Sequence, residues 1–263
     1  MDQDEREQPS TVRGQMKASR PTGRGRSLLL VPRTRVRDWR FNAPAAGGLN
    51  ATVVAACLVV LGLGAIFASL ARGLNCCPTL STVVFSSSLA IVVGFAFFRS
   101  IPRGLFEFRF GDFVVGIAAG IGLRIFYGII SGANSQPFPS ADFSGGTVGD
   151  WLVVALLTTF FTPTVEELFF RGLLLVSIYR LVRRSWNFIS AAVTALLGAV
   201  GSFLIVHGAF SSLAVPDILQ LTLVAVACGI VVIASGRIWG AVILHATYNF
   251  SFLILTAVGA LLR

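Results

Sequence analysis

Long apolar runs separated by short polar breaks dominate the pattern of this chain. Seven runs approach the roughly 20 residues that a helix needs to cross a bilayer, at about 50–71, 79–98, 113–132, 151–181, 188–213, 217–235 and 239–261. The pattern therefore predicts an all-α polytopic membrane protein with about seven transmembrane helices, eight being the alternative count. Residues 49–263 form the predicted transmembrane domain, and residues 1–48 form a basic, disordered or interfacial tail.

Composition supports a membrane protein and locates the charge. The chain is 55% hydrophobic and 13% charged, whereas about 25% of the residues of a soluble protein are charged. Ten of the 21 Lys and Arg residues lie in the first 50 positions, so the net charge of +9 belongs largely to the tail. Basic residues beside the first span typically set orientation, and we expect the lipid bilayer, not nucleic acid, as the partner of this charge.

The loops alternate in charge along the chain. Three connections on the side of the tail carry arginines, at 99–109, 180–184 and 237, while the loop 131–150 has no Lys or Arg. The positive-inside rule then places the N-terminus in the cytoplasm and the C-terminus outside. Arginine-rich, lysine-poor usage favours a bacterial host, so the expected location is the bacterial cytoplasmic membrane.

Two carboxylates and two histidines lie well inside the predicted spans. They are Glu166, Glu167, His207 and His245, and the two histidines are the only ones in the chain. Ionisable groups inside a membrane are candidates for a functional site. The structural alternatives are a histidine that hydrogen-bonds two helices and a Glu–Arg pair that only joins packed helices.

Helical spacing separates the two acids. Glu167 and Arg171 are four residues apart and share a face, so they can pair, whereas Glu166 lies roughly 140° from Arg171 and faces another neighbour. A carboxylate held in this way can act as a general base. Pro163 removes a backbone donor just upstream and is expected to bend the helix.

The second histidine has an amide on its own face. His245 and Asn249 are four residues apart, so an imidazole and a carboxamide point donors toward one place, which is what an oxyanion requires. A helix rise of about 1.5 Å per residue places Glu166 about 8 Å, and both histidines about 12 Å, from the inner surface. We therefore expect the site to open toward the cytoplasm. The apolar stretch "GLLLVSIYRLV" at 172–182 must then pack on other protein.

Three motifs in order carry a family resemblance. Glu166-Glu167-x-x-x-Arg171, Phe203-x-x-x-His207 and His245-x-x-x-Asn249 resemble those of the CAAX prenyl endopeptidase and bacteriocin-processing (CPBP, Abi) intramembrane protease family. The resemblance covers about 145–255. It implies that Glu166 and His207 activate a water, that His245 and Asn249 stabilise the oxyanion, and that Glu167 and Arg171 order the first pair.

The resemblance leaves the metal question open. Glu166, His207 and His245 could hold a divalent metal such as zinc with one open position, but the same groups with Asn249 can work as a metal-free water activator. Our expectation is a glutamate-type or metallo-endopeptidase, with no tightly bound metal favoured, acting on a membrane-associated peptide or protein.

Two other functional classes remain as alternatives. One is a non-catalytic membrane scaffold or bacteriocin self-immunity protein, and the other is a proton-coupled transporter, which also places Glu and His in the membrane. The sequence leaves three further features open: the substrate's identity, the state of Cys76-Cys77, and Arg124, which either binds a substrate carboxylate or pairs internally. Cys57 and Cys228 are expected to be small core residues.

Overall fold

The computed structural model describes residues 38–41, 50–73, 80–139, 153–210 and 213–262. Its long helices are α1 (Ala51–Gly73), α2 (Leu80–Arg99), α3 (Phe110–Ile130), α4 (Val153–Val182), α5 (Phe188–Phe210), α6 (Val215–Ser235) and α7 (Trp239–Leu261). Within these described ranges, all seven are long and apolar enough to cross a membrane. The predicted polytopic helical fold is confirmed, whereas Cys76-Cys77 and Trp151 lie outside the described residues.

Helix α4 is the longest element and forms the centre of the core. Its 30 residues span roughly 45 Å at 1.5 Å per residue, more than the ~30 Å of bilayer hydrocarbon. Residues Phe169 to Ser177 are all buried, and Tyr179 is 1% exposed. The prediction that the apolar stretch 172–182 packs on protein is confirmed for its buried positions.

Helix α3 lies very close to α7 because glycines face the contact. A Cβ added at Gly120 would lie 2.8 Å from the carbonyl oxygen of Leu244 and 2.8 Å from the Cβ of Thr247, while one added at Gly122 would meet nothing within 4 Å. Small residues of this kind let membrane helices approach until their backbones touch. Leu244 immediately precedes His245, so this contact fixes the position of α7 beside the histidine.

Gly120→Ala should therefore destabilise the protein, by about 1–3 kcal/mol, because the new methyl group meets a helix backbone that cannot yield. The matched variant Gly122→Ala should leave stability unchanged, since its methyl group points into open space. Thermal unfolding of the detergent-solubilised protein measures both. Equal melting temperatures for the two variants would contradict the close α3–α7 contact.

Two loops and the segment Asp38–Phe41 meet at one end of the bundle, here called the basic end. The Ile238 amide donates to the Leu105 carbonyl at 2.9 Å, and the Trp39 amide donates to the Arg103 carbonyl at 3.1 Å. The Trp39 side chain is 2% exposed, and its indole N–H donates to the Gly236 carbonyl at 2.8 Å. The arginine-bearing connections at 100–109 and 236–238 thus share a side, as the charge pattern predicts.

Charged groups close the turn between α6 and α7 at this end. Gly236 adopts φ 74°, the left-handed conformation that commonly ends a helix. The Arg40 guanidinium donates to the Ile233 carbonyl at 2.8 Å, which satisfies one of the last carbonyls of α6. Arg237 holds buried Asp112 at the start of α3 through bonds of 2.8 to 3.0 Å, and this hydrogen bonding raises the pKa of the guanidinium.

Candidate active site

The predicted Glu167–Arg171 pair exists and is fully buried. Arg171 Nη1 lies 3.0 Å from Glu167 Oε1, with the two side chains 1% and 0% exposed. Arg171 also donates from Nη2 to the Ala225 carbonyl of α6 at 3.1 Å. The arginine therefore neutralises one acid of the motif and ties α4 to α6.

Helix α7 brings His245 to the same carboxylate. Its Nδ1 lies 2.9 Å from Glu167 Oε1, and because a carboxylate only accepts, Nδ1 carries the hydrogen. Glu167 thereby fixes the ring orientation and leaves Nε2 as the atom available for chemistry. The resemblance implies that Glu167 and Arg171 order Glu166 and His207; in the structure, Glu167 also contacts His245, and Arg171 contacts Glu167.

Glu166 and His207 line one cavity between α2, α4 and α5. The cavity has a volume of about 230 Å³, enough for several waters. Glu166 is 7% exposed, so the carboxylate is largely enclosed but reaches the cavity. His207 Nδ1 lies 2.9 Å from the Phe203 carbonyl oxygen, which fixes the tautomer with the hydrogen on Nδ1 and makes Nε2 the basic nitrogen of the neutral ring.

Phe203 connects the two histidines. Its ring centroid lies 4.2 Å from that of His207 and 6.2 Å from that of His245, and the Arg171 guanidinium lies 4.9 Å from the Phe203 centroid. The ring is 1% exposed. The first residue of Phe203-x-x-x-His207 thus packs between the two histidines and against the Arg171 guanidinium.

Asn249 lies beside the earlier part of α4. Its Nδ2 donates to the Thr158 carbonyl at 3.1 Å. Among the described residues, the lining of the Glu166 cavity includes neither Asn249 nor His245. The structure therefore joins the predicted residues as two adjoining groups, Glu166 with His207 and Glu167 with His245, with Asn249 one turn along α7 from the second.

The cavity extends away from the basic end. Its exposed lining is formed by Arg72 at the end of α1 and Thr82 at the start of α2. The Arg72 guanidinium donates to the carbonyl of Phe210, the last residue of α5. These helix ends lie opposite the basic end. The exposed, polar part of the cavity thus lies near the first turns of α2, toward the end of the bundle opposite the loops that carry Arg103 and Arg237.

Sequence reasoning missed the contribution of α2. Thr82 and Ser86 are four residues apart on one face of this helix and both line the cavity. The signal was present in "LSTVVFSSSLA", where hydroxyl side chains recur at helical spacing inside an apolar run. Hydroxyl groups at these positions can hydrogen-bond a water or a peptide in a place where hydrocarbon cannot.

Arg124 is paired inside the protein. Its Nη2 donates to the Tyr248 carbonyl at 2.9 Å, its Nε donates to Ser251 at 3.2 Å, and its guanidinium lies 3.7 Å from the Tyr248 ring centroid. These contacts favour the internal role over a substrate-binding one and fasten α3 to α7. Cys57 and Cys228 are both 0% exposed, as expected for core residues.

One group of described residues has metal-ligand spacing. Glu167, Cys228 and His245 each offer a donor atom within 4.8 Å of the others, and Glu167 Oε2 has no hydrogen-bond partner among the described residues. The group shares only His245 with the set expected from sequence, since Glu167 and Cys228 take the places of Glu166 and His207. No pattern around Cys228 in the sequence pointed to this position.

The charge around this group does not suit a divalent metal. Glu167 Oε1 already contacts Arg171 at 3.0 Å and His245 at 2.9 Å, so a bound cation would lie beside a buried guanidinium. Like charges in a medium of low dielectric repel strongly. These residues fit an ion-paired cluster better than a zinc site, and we derive no chemical step through a metal.

The comparisons with known proteins agree with the motif order. A family model described as Type II CAAX prenyl endopeptidase Rce1-like matches residues 148–251, a range that contains all seven motif residues from Glu166 to Asn249. No curated protein and no solved structure matches the chain significantly. The expected range of about 145–255 coincides closely with the matched one. Residues 148–251 of this chain are thus similar to the family of Type II CAAX prenyl endopeptidases, as the order of the motifs predicts.

Proposed function

We propose that this chain hydrolyses a peptide bond of a membrane-associated protein or peptide by a glutamate-type mechanism. The observation that carries the proposal is that Glu166 of α4 and His207 of α5 line a single cavity. A carboxylate and a neutral imidazole around one water-sized space can orient a water and accept its proton. Beside this cavity, the buried group of Glu167, Arg171 and His245 supplies the second histidine.

The steps balance without a further reagent. Glu166 accepts a proton from a water whose oxygen attacks the peptide carbonyl carbon, and the carbonyl oxygen becomes an oxyanion. His245 Nε2 and the Asn249 amide are the proposed donors to that oxyanion. The C–N bond then breaks, the proton passes from Glu166 to the leaving amine, and the other product is a carboxylic acid, which gives its remaining proton to the free amine or to water.

Glu167 has a definite role in this scheme. Since His245 Nδ1 donates to Glu167, the ring can donate from Nε2 only when both nitrogens carry hydrogens. Because Arg171 already pairs with this carboxylate, the imidazolium adds one net positive charge to the group, half of what a divalent metal would add, and the negative charge that develops on the oxyanion offsets it. Arg171 holds the carboxylate in place at 3.0 Å, so the pair positions His245 and does not meet the water itself.

The substrate is expected to arrive from the bilayer. A second cavity of about 250 Å³ shares Thr82, Ser86 and Thr162 with the Glu166 cavity and continues along apolar side chains of α4. An apolar stretch of substrate in this second cavity would place its next peptide bonds near Glu166. Hydroxyl groups at the junction can hydrogen-bond the extended backbone of the substrate.

The basic end is proposed to face the cytoplasm. Its loops and the tail carry most of the arginines, and such loops are retained on the cytoplasmic side. The Glu166 cavity then opens toward the opposite face, because its exposed lining is formed by Arg72 and Thr82. The substrates would accordingly be cleaved in the outer half of the membrane.

A comparison of membrane proteomes tests this function. Host cells that lack the chain should accumulate at least one uncut precursor, and the native chain should restore its cleavage. Mapping of the new termini should place the cut at the non-cytoplasmic end of a membrane segment. If no precursor accumulates, the endopeptidase proposal is wrong, whereas cuts on the cytoplasmic side would reverse only the orientation.

A further inference from the structure

Helix α4 changes its hydrogen-bond register just before the acid pair. Residues Leu157–Phe161 form a π-helical turn, and the Thr162 amide donates to the Leu157 carbonyl, five residues back. If this five-residue register continued, the amide of residue 163 would donate to the Thr158 carbonyl. That residue is proline, which has no N–H. The backbone of α4 therefore supplies no donor to the Thr158 carbonyl in this register.

A side chain of α7 supplies the missing donor. Asn249 Nδ2 donates to the Thr158 carbonyl at 3.1 Å. Thr158 is exposed at the side of the bundle, where hydrocarbon offers no hydrogen-bond donor and an unpaired carbonyl is costly. The rings of Phe160 and Phe250 continue the same α4–α7 contact, with centroids 6.0 Å apart.

We propose that Asn249 is a positioning residue that replaces the amide hydrogen absent from Pro163. The bond fastens the break in α4 to α7 and so fixes the direction in which Glu166, three residues beyond Pro163, enters its cavity. A carboxamide nitrogen carries two hydrogens, so this bond is compatible with a second one to the oxyanion. Only the link to Glu166 rests on the proposed function, since the fastening of the two helices does not need a substrate.

A double-variant cycle tests the replacement directly. Asn249→Ala should lower the melting temperature of the detergent-solubilised protein by roughly 3–8 °C, the loss expected for an unpaired carbonyl in a chain of this size. In a chain that carries Pro163→Ala, residue 163 has an N–H that can donate to the Thr158 carbonyl. Asn249→Ala should then lower the melting temperature by less than about 2 °C. As a control, Thr256→Ala, which removes a hydroxyl that bonds its own helix at Phe252, should cost the same in both backgrounds.

Hydrogen exchange provides a readout that does not depend on the folding of Pro163→Ala. In the Asn249→Ala chain, amides of 157–166 should exchange faster while those of 168–182 remain protected. With a substrate that the protein cleaves, Asn249→Ala should lower kcat and leave KM unchanged. The fold-loss of kcat should be at least tenfold smaller when the chain also carries Pro163→Ala.

Three results would overturn the proposal: equal temperature losses in the two backgrounds, unchanged exchange over 157–166, or the same fold-loss of kcat in both. The last is what a donor to the oxyanion alone would give. The temperature and exchange measurements need no substrate, so failure of the endopeptidase proposal leaves this test intact.

Discussion

Glu166→Gln is expected to abolish cleavage while the protein still folds and inserts. The amide has the shape of the carboxylate but cannot take a proton from water, and a general base contributes roughly 10²- to 10⁴-fold to a rate. Since Glu166 lines the cavity and pairs with no arginine in the described contacts, its neutralisation should not unfold the chain. The measurement is kcat/KM on a precursor identified in the proteome comparison, together with the melting temperature.

Glu107→Gln is the matched control for this experiment. Glu107 lies in a loop at the basic end, and its carboxylate is 3.6 Å from Arg109 with both side chains more than half exposed. An exposed ion pair contributes about 0–1 kcal/mol, so the control should keep full activity. If Glu166→Gln retained native activity in cells and in vitro, the scaffold or immunity alternative would replace the enzyme.

Arg171→Met is expected to have the largest effect on stability of any single change in the core. It leaves Glu167 as an unpaired carboxylate that is 0% exposed and removes the donor to Ala225. Removal of one partner of a buried ion pair costs about 3–5 kcal/mol. The expected result is a large fall in the melting temperature and in the yield of folded protein from membranes.

The double variant Glu167→Gln with Arg171→Met separates charge from packing. When both charges are absent, no ion remains uncompensated, and much of the stability should return. Activity should stay low because His245 has lost the carboxylate that orients it. As a surface control, Arg109→Met should change stability by less than about 1 kcal/mol. Equal instability of the single and double core variants would show that packing of the guanidinium, not its charge, is what matters.

The fold was predictable because the bilayer limits the choices. Hydrocarbon thickness sets the length of each span and requires every backbone group to be paired within it, so the apolar runs alone locate all seven helices within a few residues. The Glu167–Arg171 pair followed from four-residue spacing, and the burial of 172–182 followed from its apolar composition. These features depend only on residues close together in the sequence and on the hydrocarbon that surrounds the helices.

Other parts of the site depend on contacts between distant residues. The π-helical turn of α4 is bonded from α7 by Asn249, which donates to the Thr158 carbonyl, and spacing along one helix cannot reveal this contact. Cys228 is adjacent to Glu167 only because α6 packs on α4. The direction of the cavity depends on Thr82 and Ser86 of α2, a helix that lies outside the matched family range.

The contacts of the buried Trp39 have a consequence for biogenesis. Its indole bonds Gly236, a residue 197 positions later in the chain, and its backbone amide bonds the Arg103 carbonyl. The tryptophan leaves the ribosome before α1, yet its pocket is complete only once the turn between α6 and α7 has been made. The segment Asp38–Phe41 therefore docks only after α1 to α6 have been synthesised.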